Sequence, residues 1–259
     1  MAVQLSKADN HVIVIDLSRN FGHHKAMMTG LGQAKGDYIF LIDSDLEEEP
    51  EWLLPFAERM LNEVADVIYG VQEKRKGGFF ERWSGNVFYR LFRAVTGMSV
   101  PANAVTARLM SRRYVQALLA HKEREVFIVG LWYLTGYSQV PYFIKKHSTS
   151  RSTYTFRKKM ALLVNSVTSF SHAPLMSIFY IGTLISLFAC GYISYLILNW
   201  LFLAKPLTGW TSVMASIWLL GGMIISFLGI IGIYLSKIFL ETKQRPYTII
   251  REIYPTKLE

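Results

Sequence analysis

Two regimes of hydrophobic patterning divide this chain near residue 172. Before that point, short apolar runs bounded by turn residues read as buried strands, and apolar residues at three- and four-residue spacing read as helices. His11–Leu17 is the first strand, and the turn Ser18-Arg19-Asn20-Phe21-Gly22 leads to a helix of about ten residues that Gly36 closes. A strand over 38–42, a helix from Glu51 to about Asn62 and a strand over Asp66–Val71 continue a β-α-β-α-β succession. That succession predicts a mostly parallel sheet with helices on both faces, with ligands at the carboxyl ends of the strands. An aromatic stripe at helical spacing over 79–96 fits either a core helix or one lying on a membrane surface. A strand-like run over 104–109, a helix opened by Ser111-Arg112-Arg113, a helix over Glu125–Leu134 and an extended piece over Ser138–Ile144 follow.

In the second regime, Ala173–Leu203 and Pro206–Ser236 contain no charged residue. Each exceeds the roughly 20 residues that an α-helix needs to cross a bilayer. The pattern predicts two transmembrane helices, about 173–203 and 212–236, joined by a short loop. All 19 acidic residues lie at or before Glu125 or at or after Glu241. Lys145, Lys146, Arg151, Arg157, Lys158 and Lys159 precede the first span, Lys237, Lys243, Arg245 and Arg251 follow the second, and the loop has only Lys205. Positive residues stay on the cytoplasmic side, so both termini are expected there. The resulting divisions are a catalytic domain over 1–144, a basic juxtamembrane segment with an interfacial helix over 145–172, the spans within 173–240 and a tail over 241–259. The net charge of +9 on 259 residues gathers beside the spans, which favours anionic lipid over nucleic acid. Cys190 is the only cysteine, which excludes an intrachain disulfide and a cysteine zinc cluster. The first residues lack the apolar core of a signal peptide. The spans are compatible with a homo-oligomer, on which no particular residue bears.

Candidate chemistry concentrates where strand 38–42 ends. Asp43 and Asp45 stand two apart, and the alternation of a strand would send side chains 43, 45 and 47 the same way. Three oxygen donors on one side suit Mg2+ or Mn2+, and a cation there can bind a diphosphate. The alternative is an acidic turn ahead of a helix that begins near Pro50. Arg19 and Asn20 occupy a strand-to-helix turn at the same edge, as donor contacts or, for Asn20, as an ordinary cap. His23 and His24 face no evident ligand cluster and read as exposed residues of a first helical turn.

Several segments carry a resemblance to a known family. They are Leu17–Gly22, the Asp-x-Asp stretch within 36–50, Arg108-Leu109-Met110-Ser111-Arg112-Arg113, Ser152-Thr153-Tyr154, Ser169-Phe170-Ser171 and Arg245-Pro246-Tyr247. In this order, with a carboxyl-terminal membrane hairpin, the chain resembles the family 2 glycosyltransferases that load a sugar onto polyprenyl phosphate, among them bactoprenol glucosyltransferases and dolichol-phosphate mannose synthase. The resemblance implies an α/β GT-A (Rossmann-like) fold, a nucleotide-sugar donor, a divalent cation held by Asp43, Asp45 and Glu47, and a polyprenyl (undecaprenyl) phosphate acceptor. Arg108, Arg112, Arg113, Lys145, Lys146 and Arg151 are the candidates to meet the acceptor phosphate. It also implies a place in the bacterial inner membrane.

Three departures from the family pattern stand out. The opening strand and the nucleoside-binding Asp-rich stretch are missing, so an N-terminally truncated GT-A domain is expected, with a catalytically inactive membrane subunit as the alternative reading. Thr106 stands where many relatives carry Asp, and Ser152-Thr153-Tyr154 stands where they carry Ser-Lys-Tyr. A phosphate acceptor is already mostly ionised at neutral pH, with a second pKa of about 6, so direct in-line attack with inversion needs no strong protein base.

Overall fold

A computed structural model describes residues 1–45, 47–72, 103–145, 164, 167–169, 171–203 and 209–254. They form two units, one of Met1–Ser166 with Lys243–Glu259 and one of Val167–Thr242. The first opens with helix α1 (Ala2–Ala8), strand β1 (Val14–Leu17), helix α2 (His23–Gln33) and strand β2 (Tyr38–Leu41). A 3-10 turn over Pro50–Trp52 runs into helix α3 (Leu53–Glu63), and strands β3 (Val67–Gln72) and β4 (Ala104–Ser111) come next. Helices α4 (Arg112–Leu119) and α5 (Ile128–Leu134), strand β5 (Gln139–Ile144) and, far along the chain, strand β6 (Ile250–Tyr254) complete it.

The main sheet has the order β2-β4-β3-β5. β4 is antiparallel to both β2 and β3, whereas β3 and β5 are parallel. The expected parallel relation of consecutive strands is therefore corrected: β2 and β3 share a direction, but β4 returns from later in the chain and separates them. β1 leaves the sheet altogether and pairs antiparallel with β6, from Val14 opposite Tyr254 to Leu17 opposite Ile250. No local periodicity announces either pairing, because alternation records that a strand is covered but not by which partner.

Strand alternation then sorts the core. On one face Ile68, Ala107, Leu109 and Ile144 pack against Trp52, Phe56 and Met60 of the turn and α3. On the other, Val67, Met110, Tyr114 and Leu118 are all fully buried beside α4 and α5. Pro50 at the start of the turn suits its fixed φ and missing N–H, and α3 stops at Val64, which takes a left-handed conformation with φ 49°. Ser111 starts α4 as the sequence anticipates, its Oγ accepting the Tyr114 N–H at 3.4 Å.

The second unit consists chiefly of α6 (Ala173–Leu203) and α7 (Trp210–Thr242). Within α7, Ser216–Thr242 is long and apolar enough to cross a membrane. α6 is 31 residues long, and its sequence contains no charged residue. Ser171 begins α6 by accepting the Ala173 N–H at 3.0 Å, and its carbonyl accepts the Tyr234 hydroxyl of α7 at 2.7 Å. The expected aromatic helix over 79–96 and the bulk of the interfacial helix over 157–170 lie outside the described residues.

Candidate active site

The acidic edge begins where β2 leaves the sheet. Phe40 and Ile42 are held against the α3 core, which aims the chain, and regular pairing ends at Leu41 opposite Arg108. Beyond it, Asp45 Oδ1 accepts the Glu47 N–H at 3.0 Å, an Asx turn that redirects the backbone toward Pro50. The premise that strand alternation aligns 43, 45 and 47 is thus corrected: the strand stops before the first of them. Among the described residues, no three His, Cys, Asp or Glu side chains cluster as metal ligands. Asp45 is exposed, and Glu47 is buried.

Asp43 carries the chemistry this edge offers. Its Oδ1 is buried and accepts no hydrogen bond. His23 Nε2, in the first turn of α2, stands 3.1 Å away as an ion-pair contact. A buried carboxylate oxygen that meets only an exposed imidazole edge can take a cation or a polar ligand atom as a further partner. Carboxylate oxygens are hard donors of the kind that magnesium or manganese takes.

The turn after β1 arrives at the same place. Asn20 Oδ1 accepts the Gly22 N–H at 2.9 Å, and Gly22, at φ +92°, lets the chain turn into α2. Arg19 is exposed, its guanidinium 4.6 Å from the Phe21 ring centroid. His23 is exposed as anticipated, yet it meets Asp43 and so joins the edge. His24 departs from the expectation: it is partly buried, with Nδ1 3.2 Å from the Val126 carbonyl. Burial lowers the His24 pKa, and the Val126 carbonyl opposes that shift.

The three arginines near β4 do not converge. Arg108 is buried at 2 % exposure, with its guanidinium 3.0 Å from the Trp132 ring centroid and Nε donating to the Thr106 carbonyl at 3.3 Å. Burial lowers its pKa to about 9, against the fields of Tyr114, Glu48 and Tyr69, so it stays charged at neutral pH. Arg112 donates to the Ala34 carbonyl at 2.6 Å, just past the end of α2. Arg113 forks onto Asp66, with Nη2 to Oδ2 at 2.8 Å and Nε to Oδ1. Lys145 is exposed at the end of β5, and Lys146 and Arg151 lie outside the described residues.

Sequence reasoning passed over Glu48. This side chain, 3 % exposed, accepts the N–H of Asp43 through Oε2 and that of Thr106 through Oε1, each at 3.0 Å. In a run of three glutamates nothing local marks the middle one as buried.

In an open α/β sheet ligands bind outside the carboxyl ends of the strands, which is where these turns bring a carboxylate and a helix start together. The model described as glycosyl transferase family 2 matches residues 1–119. A Mycobacterium tuberculosis protein assigned to the glycosyltransferases is 49% identical over 99% of this chain and 75% of its own length. An uncharacterized glycosyltransferase of Bacillus subtilis is 34% identical over 96% of the chain and 78% of its own length. The bactoprenol glucosyl transferase of Shigella phage SfV is 30% identical over 95% of the chain and 81% of its own length. The chain belongs to glycosyl transferase family 2, and it is a glycosyltransferase.

Proposed function

We propose that this glycosyltransferase is membrane-anchored and moves a sugar, with inversion, from a nucleotide-sugar donor to polyprenyl phosphate, undecaprenyl phosphate in a bacterial inner membrane. The observation that carries the reading is the buried Oδ1 of Asp43, which accepts no hydrogen bond and faces His23 Nε2 at 3.1 Å, at the edge where the turns after β1 and β2 meet. Its support is the kinship with proteins named bactoprenol glucosyl transferase and the membrane-length helix Ser216–Thr242.

Asp43 and Asp45, with Glu47, would hold Mg2+ or Mn2+, and such a cation supplies neutralisation of the charge that grows on a departing nucleoside diphosphate. Arg19 and Asn20 contact the donor from the turn before α2. Lys145, with Lys146 and Arg151, draws the acceptor phosphate. One oxygen of that phosphate attacks the anomeric carbon, and the bond from that carbon to the diphosphate breaks with its electron pair leaving on the diphosphate oxygen. No proton moves in this step, so Thr106 needs no carboxylate. Two spans, α6 and α7, would keep both termini cytoplasmic, as the distribution of lysine and arginine requires.

Purified protein in detergent with manganese, undecaprenyl phosphate and radiolabelled nucleotide sugars tests this directly. Lipid-linked sugar of inverted anomeric configuration is the expected product. No product from any donor would favour an inactive membrane subunit.

A further inference from the structure

Glu48 occupies the place of a missing rung. β2 and β4 pair in a constant register from Tyr38 opposite Ser111 to Leu41 opposite Arg108. Continuing that register would set Asp43 opposite Thr106, and an antiparallel ladder would join such residues through their own N–H and C=O groups. Instead both N–H groups point to one buried carboxylate, Asp43 N to Glu48 Oε2 and Thr106 N to Glu48 Oε1. The Thr106 carbonyl, which the rung would also have used, accepts from Arg108 Nε. The charge of Glu48 favours the ionised form of Arg108 on the same strand.

We infer that Glu48 is a positioning residue of the active site: its carboxylate, wedged between Asp43 and Thr106, ends the β2–β4 ladder and fixes Asp43 with its side-chain oxygen turned to the ligand. The wedge satisfies the backbone groups that strand separation exposes, so the edge opens without leaving donors unpaired. It also explains why a charged residue is buried here at all, since two N–H groups and a cationic neighbour offset its desolvation. The backbone part of the inference stands alone, and only its consequence for the donor site rests on the function proposed above.

The test is amide hydrogen exchange on the full chain in detergent, comparing wild type with Glu48→Gln and Glu48→Asp, alongside manganese binding read by electron paramagnetic resonance in the presence of a nucleoside diphosphate. Glutamine keeps the length but turns one acceptor into a donor facing an N–H. Aspartate keeps the charge but is one methylene too short to span both groups. In each variant, exchange at Asp43 or Thr106 should quicken by about tenfold or more, with peptides of α3 unchanged. Manganese should bind about tenfold more weakly to Glu48→Gln than to wild type. Unchanged exchange at both positions, exchange quickened equally in α3, or full wild-type protection in Glu48→Asp would overturn the wedge. If wild type binds no manganese, the cation assignment fails while the exchange result still decides Glu48.

Discussion

Replacing Arg108 by methionine separates two roles for this side chain, a clamp on the acceptor phosphate or an internal counter-charge. The guanidinium lies on Trp132, donates to the Thr106 carbonyl and shares a buried region with Glu48. Removing one member of a buried charge pair costs about 3–5 kcal/mol, because the other is left uncompensated. Methionine has similar reach, and its sulfur against Trp132 returns about 1 kcal/mol. The net loss is about 3 kcal/mol, which for a chain of this size lowers the melting temperature by about 6–12 °C. Melting followed by tryptophan fluorescence on the full chain in detergent measures it. The double variant Arg108→Met/Glu48→Gln should lose less than the sum of the single losses, since neither charge is then stranded.

Activity provides the refuting result. A counter-charge acts through the fold, so below its melting point Arg108→Met should keep the wild-type KM for undecaprenyl phosphate. A variant that melts with the wild type but needs tenfold more acceptor would show that Arg108 reaches the phosphate and that its burial against Trp132 is not the working arrangement.

Asp43→Asn should fold normally, because Glu48 holds the main-chain N–H and not the side chain, yet lose manganese binding and at least about 100-fold in activity. Burial raises the Asp66 pKa, but hydrogen bonds from Arg113 and Ser111 outweigh it and hold the carboxyl below the usual range, so its stabilisation is present above a pH of about 4 and fades as pH falls through the folded value. Melting temperatures of wild type and Asp66→Asn should therefore differ at neutral pH and converge in acid; a gap constant with pH would exclude this ion pair as the cause. A Cβ at Gly70 would lie 2.7 Å from Val105 Cγ2 and 3.0 Å from Ile144 Cδ1, where β3 passes between β4 and β5. Gly70→Ala should cost about 1–3 kcal/mol by chemical denaturation, and an unchanged midpoint would mean that the strands move apart freely.

The features legible in the sequence share a local cause. The strand over 38–42, the helix after Pro50 and the cap at Ser111 each follow from neighbours within a few residues, and each is present. Asp43 was legible as a strand-end carboxylate because an apolar run delivers it there. Side-chain alignment of 43, 45 and 47 was not, since it presumed a strand that has already stopped at Leu41. Arg108 did carry a readable signal: it alternates with Met110, which is fully buried, so parity along β4 sets both on one face. Glu48 carried none, because its two partners are a neighbouring segment and a strand far along the chain. The order of β4 in the sheet and the pairing of β1 with β6 are likewise long-range, and no window of sequence holds both partners.

That last pairing changes what supports the site. The turn holding Arg19 and Asn20 follows β1, whose only strand partner among the described residues is β6. Ser18 donates to the Ile249 carbonyl at 2.9 Å, and Arg251 grips both the Ser18 carbonyl at 2.7 Å and Asp16 Oδ2 at 3.1 Å. Thr29 of α2 meets the Thr248 hydroxyl at 2.7 Å. A segment read from the sequence as a tail is thus built into the framework of the turn that holds Arg19 and Asn20, on both the strand that enters it and the helix that leaves it. Because β6 comes after α7 in the chain, the turn takes its order from residues that are made only once the membrane-length helix is complete. The amino-terminal edge of the candidate site and the carboxyl-terminal strand therefore form one structural element, and Arg251, exposed and bonded to Asp16 and Ser18, belongs to the support of the turn that holds Arg19 and Asn20.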